Sequence, residues 1–188
     1  MMFETSKKIC LGIALAASML TACQEEQIVV PDAVSMTREA VGHYCQMIIL
    51  DHEGPKAQIH LKGNPFPVFF SQVRDAIAFM RLPEETQEVT AIYLSDMGQA
   101  ESWSDPGADN WMLLDDAIFV IDSKARGGMG GPETVPFKTR ADAEAFIARQ
   151  GGRIVALNDI SDDYVLAPVD VGNVLDSHGL NHGETALR

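Results

Sequence analysis

Basic residues, aromatic residues and usable cysteines are all scarce in this sequence, and each shortage closes a class of function. Lys and Arg number 14 against 27 Asp and Glu in 188 residues, a formal charge of −13. A nucleic-acid backbone demands clustered cations, so nucleic acid is excluded as the main partner. Aromatics at 7% offer no stacking platform for bases. Beyond residue 22 no stretch approaches the length of about 18 apolar residues that a membrane span needs, which excludes a polytopic membrane protein. There is also no G-x-S-x-G, H-E-x-x-H, C-x-x-C, Walker loop or Rossmann fingerprint. What remains is an apolar fraction of 46%, ordinary for one compact unit or two small ones.

The amino terminus reads as an address. Lys7 and Lys8 precede an apolar stretch from Ile9 to Leu20, and Leu20-Thr21-Ala22-Cys23 follows. The stretch is too short for a mature membrane helix and fits an export signal over residues 1–22. Small residues before a cysteine resemble the lipobox of bacterial lipoproteins. That resemblance implies cleavage before Cys23, acylation of the new terminus and stable anchoring by several chains. The alternative is an ordinary secretory signal cut near Ala22. Residues 23–40 would be the lipidated terminus and tether, on the periplasmic face. Gln24, in place of an Asp, favours the outer membrane over the inner.

Export makes the cysteine arithmetic informative. The sequence has three cysteines; Cys10 leaves with the signal and lipid consumes Cys23, so Cys45 is the one thiol left. No intramolecular disulfide can form. A lone thiol in an oxidising compartment calls for burial, nucleophilic chemistry or a metal.

Along the mature chain the pattern is strand, strand, helix, strand, and then the same again. Met47-Ile48-Ile49-Leu50 ends at the turn Asp51-His52-Glu53-Gly54-Pro55, and the alternating Ala57–Leu61 predicts the second strand of a hairpin with it. Asn64-Pro65-Phe66-Pro67 breaks that strand. Phe70, Val73, Ile77 and Met80 recur at helical spacing between residues 69 and 82, with Ser71 as N-cap. Residues 89–94 read as a strand. In the second half, strands are expected at 117–121, 134–137 and 153–157, a glycine-rich loop at 124–132, and a helix from Arg140 to Gln150 ended by Gly151-Gly152. The helices share a motif, Phe70-x4-Asp75-Ala76-x-Ala78-Phe79 against Phe137-x4-Asp142-Ala143-x-Ala145-Phe146. An internal duplication of a ββαβ unit, over about 41–98 and 115–160, accounts for it; chance likeness of two amphipathic helices is the alternative. Residues 171–188 show little periodicity and read as a mobile tail.

Two sulfur motifs stand out. In Cys45-Gln46-Met47 an extended backbone would turn thiol and thioether to one side, and soft sulfur donors select Cu(I). A buried Cys beside a core Met is the plainer reading. In Gly127-Gly128-Met129-Gly130-Gly131-Pro132 the Met has few neighbours to bury it, while glycine permits close approach and motion. It suits a third Cu(I) ligand, or a pocket filler in a turn. The run lacks the lysine and helix start of a phosphate cradle. Met97 follows a strand and can line a site, His52 lies in a turn near Cys45, and both are possible auxiliary ligands. Met80 and Met112 suit packing, and His43 and His60 suit solvated strand positions. His178-x3-His182 would share a helical face, as metal pairs do.

Taken together these stretches resemble the NosL family, lipoprotein accessory factors of bacterial nitrous-oxide reductase. The likeness rests on the lipobox, Cys45-x-Met47, the run from Asp51 to His60, Ala91-Ile92-Tyr93-Leu94-Ser95-Asp96-Met97-Gly98, Gly128-Met129-Gly130 and Asp142–Phe146, within a domain spanning 41–170. It implies an α+β fold of two tandem ββαβ units, similar to organomercurial lyase. It also implies Cu(I) bound by Cys45, Met47 and Met129, and delivery to nitrous-oxide reductase alongside its membrane transporter complex. Gln46 stands where many members have Gly, and Ser71 where some place a second Cys. The expected function is that of a Cu(I) metallochaperone and not an enzyme. The alternatives are a metal-free lipoprotein scaffold or a lyase-like enzyme on the same fold.

Overall fold

The structure, a computed structural model, describes residues 30–169. The export signal, Cys23 and the His178/His182 tail lie outside the described residues. Among the described residues no helix is long and apolar enough to cross a membrane.

The first unit runs β1 (Ala57–Leu61), β2 (Val68–Phe70), α1 (Val73–Arg81) and β3 (Val89–Ser95). A short strand β4 (Trp111–Leu113) leads to the second: β5 (Ile118–Ile121), β6 (Val135–Phe137), α2 (Arg140–Gln150) and β7 (Arg153–Val155). A final one-turn helix, α3, covers Asp162–Leu166. Every strand pair is antiparallel, in sheets ordered β2-β1-β3-β4 and β6-β5-β7. Each unit therefore places its first strand between its second and third.

The shared motif has a structural counterpart. Phe70 closes β2 and Phe137 closes β6, and each packs on the phenylalanine nine residues on, in the helix that follows. The ring centroids are 5.4 Å apart for Phe70–Phe79 and 5.3 Å for Phe137–Phe146. Asp75 and Asp142 both occupy the third helical position, where a carboxylate favours the positive helix end. Thr139 accepts the Asp142 amide at 3.2 Å and its hydroxyl reaches the Asp142 carboxylate at 2.5 Å. Gly151, at φ 71°, then ends α2 as the sequence predicts.

Alternation along the strands builds the layers. Ala57, Ile59 and Leu61 face a core that also takes in α1, Phe119 and Ile121 from β5, and Val165 from α3. Val120 points the other way, into a second cluster with Val135, Phe137, Ala143 and Phe146 under α2. Met80 packs on the first core and Met112 is buried in it, as expected of both. Gln58 is buried on the opposite face of β1, where its amide makes two hydrogen bonds with the Val34 backbone, at 2.8 and 2.9 Å.

Three local expectations are corrected. Residues 47–50 do not form a hairpin strand; Ile49–Asp51 is a 3-10 turn, and β1 pairs with β2 and β3 instead. The helix begins at Val73, because Phe70 reaches the core from a strand end at a spacing that mimics helical periodicity. Its N-cap is Gln72, and Ser71 turns elsewhere. His60 is not solvated: the segment at residues 31–34 crosses that face of β1, and His60 is buried with Nε2 3.1 Å from Gln58 Oε1. Burial holds its pKa below the usual imidazole range.

Candidate metal centre

Cys45 sits in a closed loop, not on an extended strand. Ile49 N–H donates to Ala40 O at 3.0 Å, Gly42 N–H to Met47 O at 2.9 Å and Gln46 N–H to Gly42 O at 2.9 Å. His43 N–H then donates to Phe69 O at 2.7 Å, seating the loop on β2. Gly42 is required here, since a Cβ would stand 2.5 Å from Cys45 Sγ. Gln46 takes φ 55°, the left-handed region that disfavours a side chain. Its Nε2 donates to His43 O at 2.6 Å, which helps hold that conformation. The departure from glycine at this position thus lands where glycine would be at ease.

The second loop meets the first on the Ser71–Gln72 segment. Ser71 Oγ lies 3.6 Å from Cys45 Sγ, so the hydroxyl expected to cap α1 faces the sulfur instead. Gln72 Oε1 accepts the Met129 N–H at 3.2 Å. Gly128 lies so close that a Cβ on it would come within 2.9 Å of Ser71 O and 2.7 Å of His52 Cβ. The thioethers are accessible: Met47 is 43% exposed and Met129 39%. Met97 goes elsewhere, packing with Trp103 against the α2 core, where they line a cavity of about 330 Å³.

His52 adds a nitrogen. Its Nδ1 is 3.0 Å from Gly128 O. A carbonyl only accepts, so Nδ1 carries the hydrogen and the neutral ring keeps its lone pair on Nε2. That Nε2 is buried without a hydrogen-bond partner. Among the described residues no group of three or more His, Cys, Asp and Glu gathers as a harder metal site would need. The available donors are one thiol, two thioethers and this imidazole, a set whose softness matches Cu(I).

Under the loops lie two ionisable groups whose residue types do not mark them as buried. Lys56 is 0% exposed, and its Nζ donates to Glu53 O at 3.0 Å and Gly54 O at 2.6 Å, fixing the turn that carries His52. Burial lowers its pKa to about 8, against the opposing pull of Glu133. Glu133 is 1% exposed; Oε1 accepts Arg74 N–H at 2.9 Å and Thr134 N–H at 2.8 Å, while Oε2 has no partner. Burial raises its pKa to about 8. No ion pair joins the two. Charge is not legible as buried from composition, and only the position of Lys56 between Pro55 and a strand hinted at it.

Glu133 makes stability depend on pH. Its pKa rises from 4.5 to about 8 on folding, so the folded state holds the proton more tightly. That contribution is fully present below 4.5 and is lost as pH climbs through 8. Glu133→Gln, which stays neutral, is expected to flatten the fall of Tm across that window; equal slopes for parent and variant would contradict it.

The chain is thus a small α+β domain of antiparallel sheets in which two loops carry soft donors. Comparison with known proteins gives its family. The sequence model of the NosL family matches residues 33–165, and the chain belongs to that family. It is 51% identical to the copper-binding lipoprotein NosL of Achromobacter cycloclastes over 164 residues, 86% of this chain and 84% of that protein. It is 29% identical to the copper-binding lipoprotein NosL of Stutzerimonas stutzeri over 150 residues, 78% and 76% of the two chains. The crystal structure of the copper chaperone NosL from Shewanella denitrificans superposes with a TM-score of 0.64 at 29% identity, over 69% of this chain and 96% of that one.

Proposed function

We propose that this protein is a lipid-anchored Cu(I) metallochaperone on the periplasmic side of the membrane, supplying copper for the centres of nitrous-oxide reductase. It would work beside the membrane transporter complex of that system, and it is not an enzyme. The observation that carries the reading is the meeting of the Cys45 loop and the Met129 loop on Ser71–Gln72, with both thioethers accessible. Cys45 would act as thiolate, Met47 and Met129 as thioethers, and His52 as a fourth donor. An accessible site suits a carrier, because an incoming ligand can enter before the last one leaves. The copper-binding names of the relatives support the same reading. The acidic excess favours docking to a basic patch on the acceptor by electrostatic steering.

Titration with Cu(I) against a competing chelator, followed by transfer to copper-free reductase, tests this. One tightly held ion that moves to the reductase is expected; a chain that takes up no Cu(I) would be the metal-free scaffold instead. Met129→Ala should weaken binding by about 10–100-fold, a range common for supporting groups at metal sites, and speed transfer. A drop in apo-protein stability of about 2–5 kcal/mol with unchanged affinity would instead make Met129 a packing residue. Cys23→Ser should free the domain from membranes with copper binding intact; its retention in the membrane fraction would contradict the lipid anchor.

A further inference from the structure

Beneath the Met129 loop two polar side chains are buried where apolar ones would cost less to bury. Gln72 is 3% exposed, and its Oε1 presses with Glu133 Oε2 on the same side of Gly127. A Cβ on Gly127 would stand 2.5 Å from Glu133 Oε2 and closer still to Gln72 Oε1. Each group is tied to the start of α1. Gln72 Nε2 donates to Asp75 Oδ1 at 2.9 Å, and Glu133 Oε1 accepts the Arg74 N–H. Gln72 Oε1 then takes the Met129 amide, while Glu133 Oε2 is left buried and unpartnered. Leaving such an atom unpaired is costly, which favours a use for it over chance.

We propose that Gln72 and Glu133 are positioning residues that clamp the Gly127–Met129 backbone to the start of α1 and so hold the Met129 thioether at the copper site. The proposal rests on Met129 being a ligand. The clamp closes while Glu133 carries its proton, because a protonated Oε2 can donate toward Gln72 Oε1, whereas an ionised one repels it. The groups that face Glu133 are Lys56, ahead of β1, Arg74 and Asp75 on α1, and Tyr164 on α3, whose hydroxyl donates to Glu133 O at 3.1 Å. Asp75 opposes ionisation and Lys56 favours it. The Arg74 guanidinium is turned away, to the carbonyls of Val165 and Ala167. Alkaline conditions therefore loosen the Met129 loop and ease copper release.

The test is Cu(I) competition on the full-length chain from pH 6.5 to 9, for parent, Glu133→Gln, Gln72→Leu and Met129→Ala, with thermal melts in parallel. Gln72→Leu should weaken binding by about tenfold at every pH, as loss of a supporting group at a metal site does. Glu133→Gln should match the parent at pH 6.5 and hold Cu(I) about tenfold more tightly than the parent at pH 9. In the copper-free protein, the Met129 amide resonance should shift with pH in the parent and stay fixed in Glu133→Gln. Identical pH profiles for parent and Glu133→Gln, or full affinity in Gln72→Leu, would overturn the clamp while leaving the ligand set intact. Unchanged affinity in Met129→Ala would overturn the ligand reading and the clamp with it.

Discussion

Replacing Cys45 by alanine is expected to lower Cu(I) affinity by more than about 100-fold, the upper end of what losing a mere supporting group costs a metal site. Stability should fall by under about 1 kcal/mol, since the loop's backbone hydrogen bonds do not involve the side chain and the residue is only part-buried. The thiol's polar neighbours are the buried Ser71 hydroxyl at 3.6 Å and Met47 O at 4.0 Å; both are long, weak sulfur contacts, and Met47 O keeps the Gly42 N–H. Chelator competition and thermal melts on one preparation separate the two effects. A variant that keeps parental affinity would remove Cys45 from the site. A variant that unfolds would make it a structural cysteine.

Gly128→Ala is expected to weaken both the fold and copper binding, with every proposed ligand still present. The new methyl would lie 2.7 Å from His52 Cβ, 2.9 Å from Ser71 O and 3.0 Å from Glu53 O. Two of those neighbours are backbone, so the loop itself must lift, at an overpacking cost of about 1–3 kcal/mol. Lifting it breaks the contact of His52 Nδ1 with Gly128 O and that of the Met129 amide with Gln72. Copper affinity should fall by about tenfold or more, which is about 1.4 kcal/mol of binding energy. Gly63→Ala is the control. Its φ of 82° brings strain, but a Cβ there meets nothing within 4 Å, so stability should suffer without copper binding changing. Parental affinity in Gly128→Ala would show that the loop position does not matter to the metal.

Much of the fold was legible where local chemistry and tertiary demand agree. The second helix is legible to the residue because its first turn carries Asp142 and it stops at paired glycines, and β3 is legible because its apolar run lies between polar turns. The start of the first helix is masked in the sequence because Phe70 and Val73 both face the core, one from a strand and one from a helix. The three sulfurs were individually conspicuous. Their setting was not, because it depends on contacts distant in sequence. Ser71 reads as a cap by propensity, yet its hydroxyl faces a thiol 26 positions away. Gln46 gives no hint of a left-handed backbone, a conformation imposed by the closure of the Gly42–Met47 loop. Lys56, Gln72 and Glu133 look like surface residues by type, and only the folded chain places them under the site.

Copper K-edge absorption of the protein loaded with one equivalent of Cu(I) tests the central claim most directly. A copper shell dominated by sulfur is predicted, losing a sulfur scatterer in Met129→Ala and collapsing toward light-atom ligands in Cys45→Ala. A shell of nitrogen and oxygen in the parent, or one unchanged in both variants, would contradict the assignment of copper to the Cys45 and Met129 loops.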